Sequence, residues 1–116
     1  MRRVASLFVT IGFLAVSSVA FAHPPTSVTV TYDKDKKTVQ AVVVHGVGSP
    51  TRHYIKKVAI SVNGTSATVL TFDHQDSKES QKAEYVLPAA AKPGDVIAVK
   101  ATCNIFGSKE GSLTVQ

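Results

Sequence analysis

The stretch Ile55-Lys-Lys-Val-Ala-Ile-Ser-Val-Asn-Gly-Thr-Ser-Ala-Thr-Val-Leu-Thr-Phe72 decides the fold. Val58, Ile60 and Val62 recur at every second position, the period that gives a β-strand one buried face. Asn63-Gly64 follows at once, and this dipeptide tolerates the positive φ that a type I′ turn demands at both central residues. Thr65 to Phe72 then returns as a second strand. The stretch therefore reads as an antiparallel hairpin.

Working outward toward the C-terminus, Asp95 to Cys103 alternates more strictly than any other run. Val96, Ala98, Lys100 and Thr102 share one parity, and Ile97, Val99, Ala101 and Cys103 share the other. Lys100 must reach water, so Cys103 is expected to face the core. Asn104 to Gly111 reads as a turn, and Ser112 to Val115 as a final edge strand. Between these blocks, Asp73 to Lys82 is polar without period, which predicts a surface loop with His74 solvated, and Ala83 to Leu87 reads as a short strand. Pro88 to Asp95 is a connection ending in Pro93-Gly94-Asp95.

Toward the N-terminus, Thr38 to Gly46 is strand-like with Gln40 on the wet face, which sets Val39, Ala41, Val43 and His45 inward. Val28 to Tyr32 forms another strand, joined to it by the charged turn Asp33 to Lys37. Seven short strands at regular spacing, with no helical apolar stripe after residue 22, predict an all-β, immunoglobulin-like β-sandwich.

The first 22 residues have the pattern of a secretory signal: Arg2 and Arg3, an apolar run from Val4 to Val19, and a small-x-small site at Ala20-Phe21-Ala22. Residues 23–116 would then be one mature domain, periplasmic or secreted, with no membrane attachment after cleavage. Removing two arginines lowers the formal charge from +5 to +3. With scattered lysines, that balance argues against a nucleic-acid partner. A single cysteine in an oxidising compartment closes no internal disulfide, so Cys103 is buried, paired to another chain in a homo-oligomer, or bound to something.

The residues that carry chemistry are few. His45 ends an inward-facing strand, where an imidazole is most simply satisfied by hydrogen bonds, but His53 opens the next strand and Cys103 shares the same core. A thiolate with two or three imidazoles suits iron, copper or zinc. Cleavage after Ala22 would make His23 the terminus, its α-amine and ring Nδ1 able to chelate copper. The spacing holds no CxxC or HExxH motif, no carboxylate pair and no phosphate-cradling loop, and a core-facing Cys103 without an oxyanion loop does not read as a nucleophile.

His53-Tyr54-Ile55 followed by Val58, and Cys103-Asn104-Ile105-x-Gly107, resemble the iron-binding domain of the desulfoferrodoxin and superoxide reductase family, over about Thr38 to the C-terminus. The resemblance implies a sandwich fold, a ferrous iron held by histidines and an axial cysteine, and an oxidoreductase activity toward superoxide fed by a periplasmic electron donor. It implies that Cys103 and His53 are ligands, that His23 corresponds to an early family histidine, and that Arg52 attracts the anion. Ser49 and Phe106 stand where the family has histidines, which leaves His45 to reach in from the preceding strand. A second resemblance, carried by His53 to Gly64 and Lys92-Pro-Gly-Asp95, is to the non-catalytic subunit of the thiosulfate-oxidising carrier complex, which implies a partner module without metal.

Overall fold

The computed structural model describes residues 23–116, so the signal-peptide reading falls outside the described residues. Within these residues, seven strands form two antiparallel sheets: β1 (Ser27–Asp33), β2 (Thr38–Val44), β3 (Ile55–Val62), β4 (Thr65–Thr71), β5 (Ser80–Val86), β6 (Val96–Cys103) and β7 (Ser108–Thr114). One sheet has the order β1-β2-β5 and the other β4-β3-β6-β7. After the β3–β4 hairpin the chain crosses back to pair β5 with β2, the Greek-key step of an immunoglobulin-like sandwich.

The period-two reading holds where it was strictest. Ile97, Val99, Ala101 and Cys103 of β6 are buried, as are Val39, Ala41 and Val43 of β2, and they meet Val58 and Ile60 of β3 between the sheets. Ile55 is also buried although it lies on the opposite parity from Val58, because the β3–β6 register shifts between Ile55 and Lys57. Asn63 (φ 52°) and Gly64 (φ 83°) make the expected turn, and the Asn63 side chain ties it across to Asp95 and Val96.

Two elements begin earlier than the sequence pattern indicates. β5 includes Ser80, Gln81 and Lys82, whose polarity masks a strand, because the inward Gln81 accepts from the Asp76 amide and donates to the Lys82 carbonyl. β7 starts at Ser108 and runs through Lys109 and Glu110, an exposed edge with no apolar alternation to reveal it. Gly111 in β7 is required by packing between the sheets: a β-carbon there would stand 2.2 Å from the Val28 carbonyl oxygen of β1.

The strand registers define the end of the sandwich that matters. Ser27 of β1 pairs with Val44 of β2, Val44 with Ser80 of β5, and Ile55 of β3 with Cys103 of β6. The segment before β1, the β2–β3 loop and the β6–β7 turn therefore all emerge at one rim.

Candidate metal centre

At that rim the backbone stays fixed beyond the strands. The His45 amide donates to the Glu79 carbonyl (2.9 Å) and the Val47 amide to the Lys78 carbonyl (2.8 Å), which carries the β2–β5 pairing past Val44. The Arg52 and His53 amides both donate to the Ser49 carbonyl, at 3.0 and 2.9 Å, so Ser49 to His53 is a closed turn that delivers His53 to the start of β3.

Three imidazoles meet there. His23, His45 and His53 each offer a ring nitrogen, and the three nitrogens lie within 4.8 Å of one another. The rings are packed edge to face, with centroids 5.2 Å apart for His23–His45, 5.3 Å for His23–His53 and 4.7 Å for His45–His53. His45 is fully buried, in keeping with its inward parity on β2. His53 Nε2 is buried and, among the described residues, has neither donor nor acceptor as a partner. Burial, and then the neighbouring His45 and His23 rings, push the His53 pKa down, which favours the neutral ring.

The remaining ring contacts show how the histidines are held. His45 Nδ1 lies 2.9 Å from Gln75 Oε1 and its Nε2 3.4 Å from the His23 carbonyl oxygen. His23 has Nε2 3.0 Å from the Gly46 carbonyl and Nδ1 3.0 Å from the Pro24 carbonyl. The β6–β7 turn packs directly onto the residue after His23, since a β-carbon on Gly107 would approach Pro24 Cβ to 2.6 Å.

Cys103 is not a member of the mutually close set. It faces the core at 5% exposure, across from Ile55, with its sulfur 3.4 Å from the Ile105 amide that points at it. Asn104 staples this turn to the His53 strand: its amide donates to the Tyr54 carbonyl, its Oδ1 accepts from the Tyr54 amide, and its Nδ2 donates to the Arg52 carbonyl. Arg52 is exposed beside His53, His74 is exposed and paired with Asp73, and Ile105 and Phe106 project into solvent at 55% and 59% exposure. A cleft opens over the histidines, lined by His23, His53, the backbone from Gly46 to Gly48, Lys78 and Glu79.

Sequence reasoning missed Gln75 and Lys78, both in the segment read as a surface loop. Gln75 is buried at 2% exposure, and only its later hydrogen-bond partners give it a reason to be there. No alternation or motif in Asp73 to Lys82 signals this.

Neither a protein-family model nor a curated protein matches the chain. Solved structures do. A superoxide reductase in its oxidised state superposes with a TM-score of 0.55 at 17% identity, covering 81% of this chain and 90% of that one. This chain shares the superoxide reductase fold. A hypothetical protein from Pyrococcus horikoshii OT3 superposes with a TM-score of 0.58 at 13% identity, again over 81% and 90% of the two chains. The residues at the rim fit a transition metal on their own chemistry, because three neutral-capable imidazoles converge and one buried nitrogen has no other partner.

Proposed function

We propose that the mature chain is an exported metalloprotein of the superoxide reductase type, with His23, His45 and His53 as ligands and Cys103 as a further ligand at the same rim. The observation that carries this reading is the orphaned His53 Nε2 within a set of three mutually close imidazoles. A buried nitrogen without a partner costs about 1–3 kcal/mol, and a metal would remove that cost. Iron is the metal the shared fold favours, with copper and zinc as alternatives for a histidine-rich set.

Ferrous iron held there would supply one electron to superoxide, which with two protons gives hydrogen peroxide, the electron being restored by an external periplasmic donor. The chain's own groups have separable tasks. Lys78 in the cleft and the exposed Arg52 next to His53 in the chain draw in an anion. The Ile105 amide, directed at the Cys103 sulfur, fixes the sulfur's orientation in the turn. The cleft leaves the histidine face accessible to a small molecule.

Metal analysis of the protein purified from the periplasm, starting at His23, tests the reading. About one iron, copper or zinc per chain is expected, with loss on His53→Ala and a weakened, spectrally altered site in Cys103→Ser. Less than a tenth of a metal per chain after reconstitution with each ion would sink it.

A second reading, copper held by the His23 α-amine and ring, is favoured by the placement of His23 inside the cluster and beside the cleft. Acetylating the amine would then abolish copper binding while Cys103→Ser leaves it intact.

A further inference from the structure

Building on the metal-site reading, we infer that Gln75 is a positioning residue that locks His45 as the Nδ1–H tautomer and so makes Nε2 the atom His45 offers to a metal. The argument starts from the amide of Gln75, whose two ends are fixed by unlike neighbours. Nε2 lies 2.7 Å from the His45 carbonyl oxygen and 2.9 Å from the Ser77 carbonyl oxygen, both obligate acceptors. Oε1 lies 3.2 Å from the Ile55 amide, an obligate donor. Turning the amide over would set oxygen against two carbonyls and NH₂ against an N–H, so only one orientation is compatible with the site.

With Oε1 held as an acceptor, the His45 Nδ1 that lies 2.9 Å from it must be the protonated nitrogen. In the neutral ring Nε2 then carries the lone pair. The contact of Nε2 with the His23 carbonyl, at 3.4 Å, is beyond the usual 2.7–3.2 Å range for an N–H···O bond and does not compete. Nε2, on the side of the His23 carbonyl, is thus left with nothing to donate.

Gln75 is suited to this work because it is itself immobilised. Its own amide donates to the Pro50 carbonyl at 3.0 Å, so one residue grips the His45 backbone just past β2, the β2–β3 loop, the first residue of β3 and the turn at Ser77. Ligating histidines generally depend on such an outer partner on the second nitrogen, and its loss typically weakens metal binding by 10- to 100-fold.

Long-range ¹H–¹⁵N correlation spectra of the metal-free wild type at pH 7.5 test the assignment directly. His45 is expected to show a protonated Nδ1 and a bare Nε2; a protonated Nε2, alone or with Nδ1, overturns the inference. Gln75→Leu should give His45 a mixed tautomer and weaken Zn²⁺ binding about 10- to 100-fold in competition with a chromophoric chelator. Gln75→Glu keeps an acceptor at Nδ1 but sets an oxygen against the His45 and Ser77 carbonyls, so it should keep Nδ1 protonated at a cost in stability. A folded Gln75→Leu protein with unchanged tautomer and Zn²⁺ affinity also overturns it. If either variant fails to fold, the wild-type spectrum decides alone. A wild type that shows the Nδ1–H ring yet binds no metal would remove the metal-site reading and leave the Gln75–His45 assignment standing.

Discussion

Gly107 lies so close to Pro24 that a β-carbon on the glycine would stand 2.6 Å from the proline's Cβ. Gly107 also has φ +82°, a left-handed conformation costly for other L-residues. This contact clamps the segment that carries His23 against the turn that follows Cys103. Gly107→Ala should destabilise the fold by about 1–3 kcal/mol from overpacking and strain together, and weaken metal binding by displacing His23. Gly64→Ala is the matched control, with φ +83° but open space around it, and should cost only about 1–2 kcal/mol and leave metal affinity unchanged. Chemical denaturation and metal titration of the pair measure both effects.

His53→Leu should separate stability from binding. It removes the buried nitrogen that has no partner, so the metal-free protein is expected to unfold at a higher denaturant concentration, by about 1 kcal/mol, while metal binding is lost. Destabilisation of the metal-free protein by His53→Leu would instead show that Nε2 is satisfied in solution.

Acid should weaken the metal-free protein through His53. Its folded pKa lies below that of the unfolded chain, near 6.5, so the unfolded state takes up the proton first. Stability is unaffected by this group above that pH, falls as the pH drops through it toward the folded pKa, and levels off below. Melting temperatures of the wild type and His53→Leu between pH 8 and 5 should diverge in that window, with the variant showing the flatter profile.

Gly111→Ala tests the join between the two sheets at the β1–β7 edge. Its β-carbon would stand 2.2 Å from the Val28 carbonyl oxygen, a backbone atom unable to rotate away, so β1 and β7 must separate. A loss of about 3 kcal/mol or more is expected, read by denaturation, with faster amide exchange concentrated in β1 and β7.

The legible part of this molecule is the part whose residues alternate. Ile97, Val99, Ala101 and Cys103 announced their face because Lys100 between them had to reach water, and Gln40 on the wet face of β2 turned His45 inward in the same way. Asn63-Gly64 specified its turn through backbone chemistry alone. Gln75 and Gln81 were hidden because their burial depends on hydrogen bonds to partners that only the folded chain supplies. The meeting of His23 with His45 and His53 was legible only through the family resemblance, not through any local pattern. It follows from the pairing of Ser27 with Val44 and from the packing of Pro24 under Gly107, neither of which leaves a local signal.

The unpartnered nitrogen of His53 links occupancy to survival. A protein whose empty form carries an uncompensated polar atom opens more often than its loaded form, and a ligand that binds only the folded state widens the gap by mass action. On the proposed metal-site reading, molecules without metal would be the more open to proteolysis, so selective turnover as well as affinity would favour the loaded form.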